Sequence, residues 1–182
     1  MKVLIVVDMQ NDFIDGALGT PEAQGIVSQV IDRIKASKDE LIIFTQDTHG
    51  EDYLATPEGK KLPVVHCVAG THGWQVKSEI LQAWRDNDQT MKAPELKDNT
   101  ITKPIFGSTD LVDYLKGRAD QISRIELLGV CTDICVVSNA LLIKNHFPQL
   151  DLYVNQACCA GATPETHQAA LSVMKMCQID VF

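Results

Sequence analysis

The stretch Gly129-Val130-Cys131-Thr132-Asp133-Ile134-Cys135 carries two thiols where an apolar run gives way to a polar turn. Its lead reads as a strand and its sequel as a helix opening near Thr132 or Asp133, both residue types that cap helix N-termini. Cys135 then falls in the first helical turn. There, unpaired N–H groups and the positive end of the dipole lower a thiol pKa and can hold an oxyanion. The plainer alternative is a core cysteine on an apolar helix. A sulfur nucleophile also needs a proton acceptor. His146 and His167 are remote in the pattern and read as surface or structural residues. Asp8 closes an apolar run, where a carboxylate is costly unless it is paired or used; a helix cap or loop anchor is its other reading. Lys103 stands between a short strand and Pro104, where a solvated lysine is the ordinary alternative. Taken together, Cys135, Asp8 and Lys103 make a nucleophile, a proton acceptor and a charge partner at three separate strand ends.

A second set is Asp47-x-His49, Glu58 and His66, oxygen and nitrogen donors of the kind that Zn²⁺, Fe²⁺ or Mn²⁺ accept. The gaps of nine and eight residues after His49 fit no compact finger, so a polar loop with two histidines stays open as the alternative.

These residues need elements to position them. Residues 2–7 form a continuous Val/Ile-rich run suited to a strand buried on both faces, and 41–45 repeat the pattern. Helical spacing covers 21–37, with Pro21 in the first turn, and 75–84. Between them, 47–73 carries turn residues without a period, a length that in a compact domain is usually functional. Strands at 100–103, 124–130, 151–154 and 179–182 alternate with helices at 110–116, 133–144 and 164–176. Strand-helix alternation of this kind predicts a three-layer α/β/α fold with a mostly parallel sheet of about six strands, in one domain over 1–182. Ligands in such sheets bind beyond the carboxyl ends of the strands, where Asp8, Asp47, Lys103 and Cys131 all fall.

The chain has 182 residues and a net charge of −8. That charge argues against a nucleic-acid backbone or an anionic membrane surface as partner. Five apolar residues after Met1-Lys2 are too few for a signal-peptide core, and six cysteines in a chain of this length read as reduced thiols, so a cytoplasmic protein is expected. Cys158 and Cys159 read as small apolar packing residues, and His72 as surface. No Gly-x-Gly-x-x-Gly or phosphate loop follows the first strand, and no Gly-x-Ser-x-Gly is present.

Over nearly its whole length the chain resembles the isochorismatase-like cysteine hydrolases, and within them the nicotinamidase/pyrazinamidase branch. The matching pieces are Val6-Val7-Asp8-Met9-Gln10-Asn11-Asp12-Phe13, Gly16-Ala17-Leu18 and Thr45-Gln46-Asp47-Thr48-His49. They continue with His66-Cys67-Val68-Ala69-Gly70-Thr71, Lys103-Pro104 and Gly129 to Val136. The resemblance implies that Cys135 is the nucleophile, that Asp8 takes its proton and returns it to the leaving amine, and that Lys103 stabilises the charges. It implies a cis peptide at Val130-Cys131, with the N–H groups of Cys131 and Cys135 facing the oxyanion. A divalent ion, zinc first and iron or manganese next, is implied at Asp47, His49 and His66, with Glu58 as a fourth ligand. The implied reaction converts a small carboxamide to acid and ammonia through a thioester. Where that branch carries a bulky aromatic ahead of the metal-binding histidine, this chain reads Leu62-Pro63-Val64-Val65. Trp74 is left to pack a substrate ring, with Phe13 at a matching pocket position. A relative acting on another small amide or ureido compound, and an idle binding module on the same fold, are the competing expectations; an intact triad speaks against the second. A homo-oligomer is expected by family habit.

Overall fold

The computed structural model describes residues 1–87 and 96–182. From the N-terminus, β1 (Lys2–Val7) leads into α1 (Asn11–Ile14), α2 (Pro21–Gly25), α3 (Val27–Lys35) and β2 (Glu40–Asp47). A long loop carries α4 (Pro57–Lys61) and returns through α5 (Ser78–Arg85) to β3 (Thr100–Lys103) and α6 (Thr109–Lys116). The chain closes with β4 (Arg124–Val130), α7 (Val137–His146), β5 (Asp151–Ala160), α8 (Pro164–Met176) and β6 (Asp180–Val181).

All six strands pair in parallel, in the order β3-β2-β1-β4-β5-β6. Central β1 is sealed on both faces: Val3 to Val7 are at most 1% exposed, as a continuous apolar run requires. The first half of the chain steps outward from β1 to β2 to β3, and its helices α3 and α5 pack against each other. The second half steps the other way, from β4 to β6, under α6, α7 and α8. Right-handed crossovers turn that reversal of direction into a change of face, giving the three layers. The reversal lies between β1 and β4, and a crevice opens there beyond their carboxyl ends.

Several elements depart from the sequence expectation for identifiable reasons. The segment 21–37 is two helices, α2 and α3, meeting at Ile26, which serves as C-cap of one and N-cap of the other. Helix α5 starts only at Ser78, because Val76 pairs with Gln10 and the neighbouring N–H and C=O groups of Gln75 and Lys77 bond to Asn11 and Met9. Strand β5 runs six residues past the expected end, to Ala160, across a register shift against Leu127 and Gly129. Ahead of α7, residues Thr132–Val136 form one wide turn in which the Val136 N–H reaches the Cys131 carbonyl at 3.0 Å. Neither expected cap acts as one. Thr132 Oγ1 pairs with His167 Nδ1 at 2.8 Å, and the Asp133 carboxylate accepts the Ala162 N–H at 3.0 Å.

Candidate active site

Three strand ends converge. Asp8 follows β1 in the left-handed region (φ 48°), a conformation that aspartate tolerates better than most residues and that recurs at functional sites. Thr45 on β2 donates its hydroxyl to Asp8 Oδ1 at 2.6 Å. Lys103 ends β3, in register with Asp47, and its Nζ lies 2.6 Å from Asp8 Oδ2 and 3.5 Å from Asp47 Oδ1. From β4 the chain passes through Gly129 (φ 120°), where a Cβ would strike the Val7 carbonyl oxygen, so β1 and β4 approach more closely than a side chain allows. The Val130-Cys131 peptide is cis, and the wide turn that follows places Cys135 Sγ 3.5 Å from Lys103 Nζ.

The electrostatics of this trio follow from its burial. Lys103 and Asp8 have fully buried side chains. Burial alone would drive the Lys103 ammonium to give up its proton; the charges of Asp8, Cys135 and Asp47 overcome that and raise its pKa. Asp8 is pushed above the usual carboxylate range by burial, with Lys103 pulling the other way. The Cys135 thiol is pushed well up, by burial first and then by the adjacent Asp8 charge, to which it is hydrogen-bonded; Lys103 opposes this. The helix-terminus argument predicts a lowered thiol, so the finding reverses it. A buried sulfur beside a carboxylate holds its proton more tightly than a free thiol does, and the carboxylate that raises it is also the nearest group that can accept that proton.

Beside the trio lies a group of donors. The ligand atoms of Asp47, His49 and His66 all fall within 4.8 Å of one another. Asp47 Oδ2 is 2.9 Å from His49 Nε2 and 3.5 Å from His66 Nε2; Glu58 Oε1 stands 3.9 Å from His49 Nε2. His66 Nδ1 donates to the Val64 carbonyl at 2.8 Å, which leaves its Nε2 lone pair for the cluster, the tautomer a metal ligand needs. Burial pushes the Asp47 carboxyl up, but its bond to His66 and the charges of Lys103 and His49 together hold it below the usual range. This donor set fits a divalent ion such as zinc.

Parts of the site carry no signal of their own in the sequence. Gln10 clasps the Asp47 peptide, accepting its N–H and donating to its carbonyl, both at 2.8 Å. Asp12 accepts the Cys67 N–H at 2.8 Å and fixes the residue after His66; a Cβ on Gly73 would strike the same carboxylate. Tyr53 is wholly buried, its ring centroid 4.6 Å from that of His49 and 4.9 Å from that of His66. Gln10 and Asp12 fall inside the matched stretch around Asp8, which is where a search for them would begin.

A cavity of about 290 Å³ opens over the trio, with Cys131, Cys135, Asp47, His66 and Glu58 in its lining. Phe13, edge-on to His66 at 5.5 Å between centroids, forms an apolar wall, as does Phe106. Trp74 does not. It lines a separate hollow of about 530 Å³ beside α5, and its Nε1 donates to Thr48 Oγ1 at 2.9 Å. Phe106, after Lys103, is the cavity's second phenyl wall.

The sequence profile of the isochorismatase domain matches residues 2–181. The chain belongs to the isochorismatase family. Its relatives agree with the geometry. The nicotinamidase/pyrazinamidase of Mycobacterium tuberculosis is 25% identical, over 100% of this chain and 98% of its own. Among solved structures, the nicotinamidase/pyrazinamidase PncA of Bacillus subtilis superposes with a TM-score of 0.79 at 29% identity, covering 99% of this chain and 98% of that one. The pyrazinamidase of Pyrococcus horikoshii, solved in complex with zinc, gives a TM-score of 0.76 at 28% identity, over 100% and 98% of the two chains. Within the isochorismatase-family chain described here, no described helix is long and apolar enough to cross a membrane, and all six cysteines are free thiols.

Proposed function

We propose that this protein is a cysteine-dependent amidohydrolase of nicotinamidase type, acting on a small ring-bearing carboxamide. The observation that carries the reading is Cys135 held between Asp8 and Lys103 at the foot of a small apolar cavity, with the Asp47, His49 and His66 donors in its flank. Asp8 takes the Cys135 proton as sulfur attacks the carboxamide carbon, and Lys103 balances the charge. The N–H groups of Cys131 and Cys135 face the oxyanion. As the C–N bond breaks, Asp8 gives the proton to the leaving nitrogen, releasing ammonia and leaving a thioester on Cys135. Asp8 then takes a proton from water, whose oxygen attacks the thioester and frees the acid and the thiol. A raised thiol pKa suits this cycle, because the proton leaves sulfur only when the carbonyl is in place to receive the electron pair.

Asp47, His49 and His66, with Glu58 beside them, would hold a divalent ion, zinc before iron or manganese. Bound there, it supplies a Lewis acid for a ring nitrogen and orients the ring. Phe13 and Phe106 supply flat apolar walls, which favour a ring over an open-chain ureido compound. We assign the whole chain to one catalytic domain, a reading supported by the extent of the family match, and to the cytoplasm, a reading supported by the free thiols; a homo-oligomer is the assembly expected of it by family habit.

Ammonia release from nicotinamide by the purified protein tests the assignment, beside Cys135→Ala and a metal-stripped sample. Turnover lost in both is expected; turnover that survives Cys135→Ala overturns the mechanism.

A further inference from the structure

The active-site cavity is small and has a neighbour. Its volume of about 290 Å³ lies at the lower end of the range for ligand pockets, roughly 300 Å³ upward. Inward growth of a substrate is blocked, since Asp47, His66 and Cys135 at its foot are at most 5% exposed. Outward, a second hollow of about 560 Å³ shares four wall residues with it: Glu58, Leu62, Phe106 and Ile134. The three apolar ones are 36–40% exposed, and Ile105, which lines the outer hollow alone, is 53% exposed. Apolar side chains grouped at a catalytic mouth leave surface in water that a ligand can cover.

We propose that the outer hollow is a second substrate subsite, and that the preferred substrate is a ring carboxamide bearing an uncharged apolar substituent that passes between Leu62, Phe106 and Ile134. Continuity with the catalytic cavity argues for the substrate's own extension as the occupant. Its charge pattern argues for a neutral one: of the three charged residues that line the hollow, Glu58 reaches towards His49 of the donor cluster at 3.9 Å, and Lys61 and Asp133 oppose each other in sign, so no single charge is left to pair with a charged substituent. The carboxamide end is cleaved as in the parent reaction, with water as the second reactant and ammonia and the acid as products. The inference rests on the amidohydrolase reading.

The test compares nicotinamide with the positional isomers of its ring-phenylated derivative. Binding to the metal-loaded Cys135→Ser protein is measured by calorimetry, and kcat/KM on the wild type. The best isomer is expected to bind at least about tenfold tighter than nicotinamide, a modest return for covering one aryl group. Ile105→Glu, an exposed change outside the catalytic cavity, is expected to remove most of that gain while leaving nicotinamide turnover unchanged. Ser138→Phe, which fills the outer hollow from α7, checks the same point by bulk. Nicotinamide binding with no isomer binding tighter overturns this inference alone, as does a gain that survives both variants. Binding by no amide at all overturns the amidohydrolase reading with it.

Discussion

Gln10 holds Asp47 at both ends of its backbone: Oε1 accepts the Asp47 N–H and Nε2 donates to the Asp47 carbonyl, each at 2.8 Å. The same Nε2 also reaches the Trp74 carbonyl at 2.8 Å, so one side chain fixes β2's end to both flanking segments. Gln10 is fully buried, so no water replaces it. Gln10→Ala is expected to cost about 2–6 kcal/mol, since the N–H and carbonyl of Asp47 lose this partner at about 1–3 kcal/mol each, while the Trp74 carbonyl keeps its bond from Gln46. It is also expected to weaken metal binding about tenfold through misplacement of Asp47. Urea unfolding and a metal-competition titration read the two effects separately. An unchanged metal affinity would show that Asp47 keeps its place without the clasp.

Lys103 serves two carboxylates and a thiol from one ammonium. Lys103→Met strands Asp8 and Asp47 without a counter-charge and is expected to cost about 3–5 kcal/mol, together with a loss of about 10²-fold or more in ammonia release. Asp8→Asn, which removes the proposed proton acceptor, is expected to abolish turnover. The double variant Asp8→Asn/Lys103→Met removes an ion and its partner together. It is expected to regain much of the stability and none of the activity. A double-mutant cycle on urea unfolding measures the coupling, and strictly additive losses would mean that the 2.6 Å pair is not the dominant contact of either residue.

What the sequence displays is what periodicity and local chemistry can express. The Val3–Val7 run, the Pro21, Pro164 and Thr163 helix starts and the strand-helix alternation depend on neighbours a few residues apart, and the six-stranded parallel sheet follows from them. The positions of Asp8, Lys103 and Cys135 at strand ends were readable for the same reason. Phe106 and Trp74 were not separable in that way. Which aromatic faces the cavity depends on how the loop before Trp74 folds: Gln10 and Gln46 both donate to the Trp74 carbonyl, and the indole turns to Thr48. The thiol's pKa was missed because dipole arguments use local position, whereas the shift comes from burial and from Asp8, which lies far away along the chain.

Tyr53 packs against both histidines of the donor cluster, tilted to His49 and edge-on to His66, and donates its hydroxyl to the Leu62 carbonyl at 3.0 Å. It thereby links the donor cluster to Leu62 in the wall of the cavity. Tyr53→Ala is expected to lower zinc affinity about 10–100-fold, the effect usual for groups that orient metal-binding histidines. Tyr53→Phe keeps the ring and is expected to retain affinity while raising KM modestly through a looser Leu62. Equal zinc affinity in the alanine variant and the wild type would sink the positioning role.

His167 gives the fold a dependence on pH away from the catalytic trio. Its Nδ1 pairs with Thr132 Oγ1 at 2.8 Å, just after the cis peptide, and burial holds its pKa below the ordinary 6.5, with Asp133 pulling the other way. The native state therefore resists protonation of this ring more than the unfolded chain does. Above about pH 6.5 both states hold a neutral ring and its contribution is complete. As pH falls through the ordinary value towards the depressed one, the unfolded state takes up the proton first, and stability declines. His167→Gln can keep a bond to Thr132 without titrating. Urea unfolding at about pH 7.5 and about pH 5.5 is expected to show a smaller stability loss in the variant than in the wild type. An equal loss in both would place the acid sensitivity elsewhere, and a larger one in the variant would reverse the sign assigned to His167.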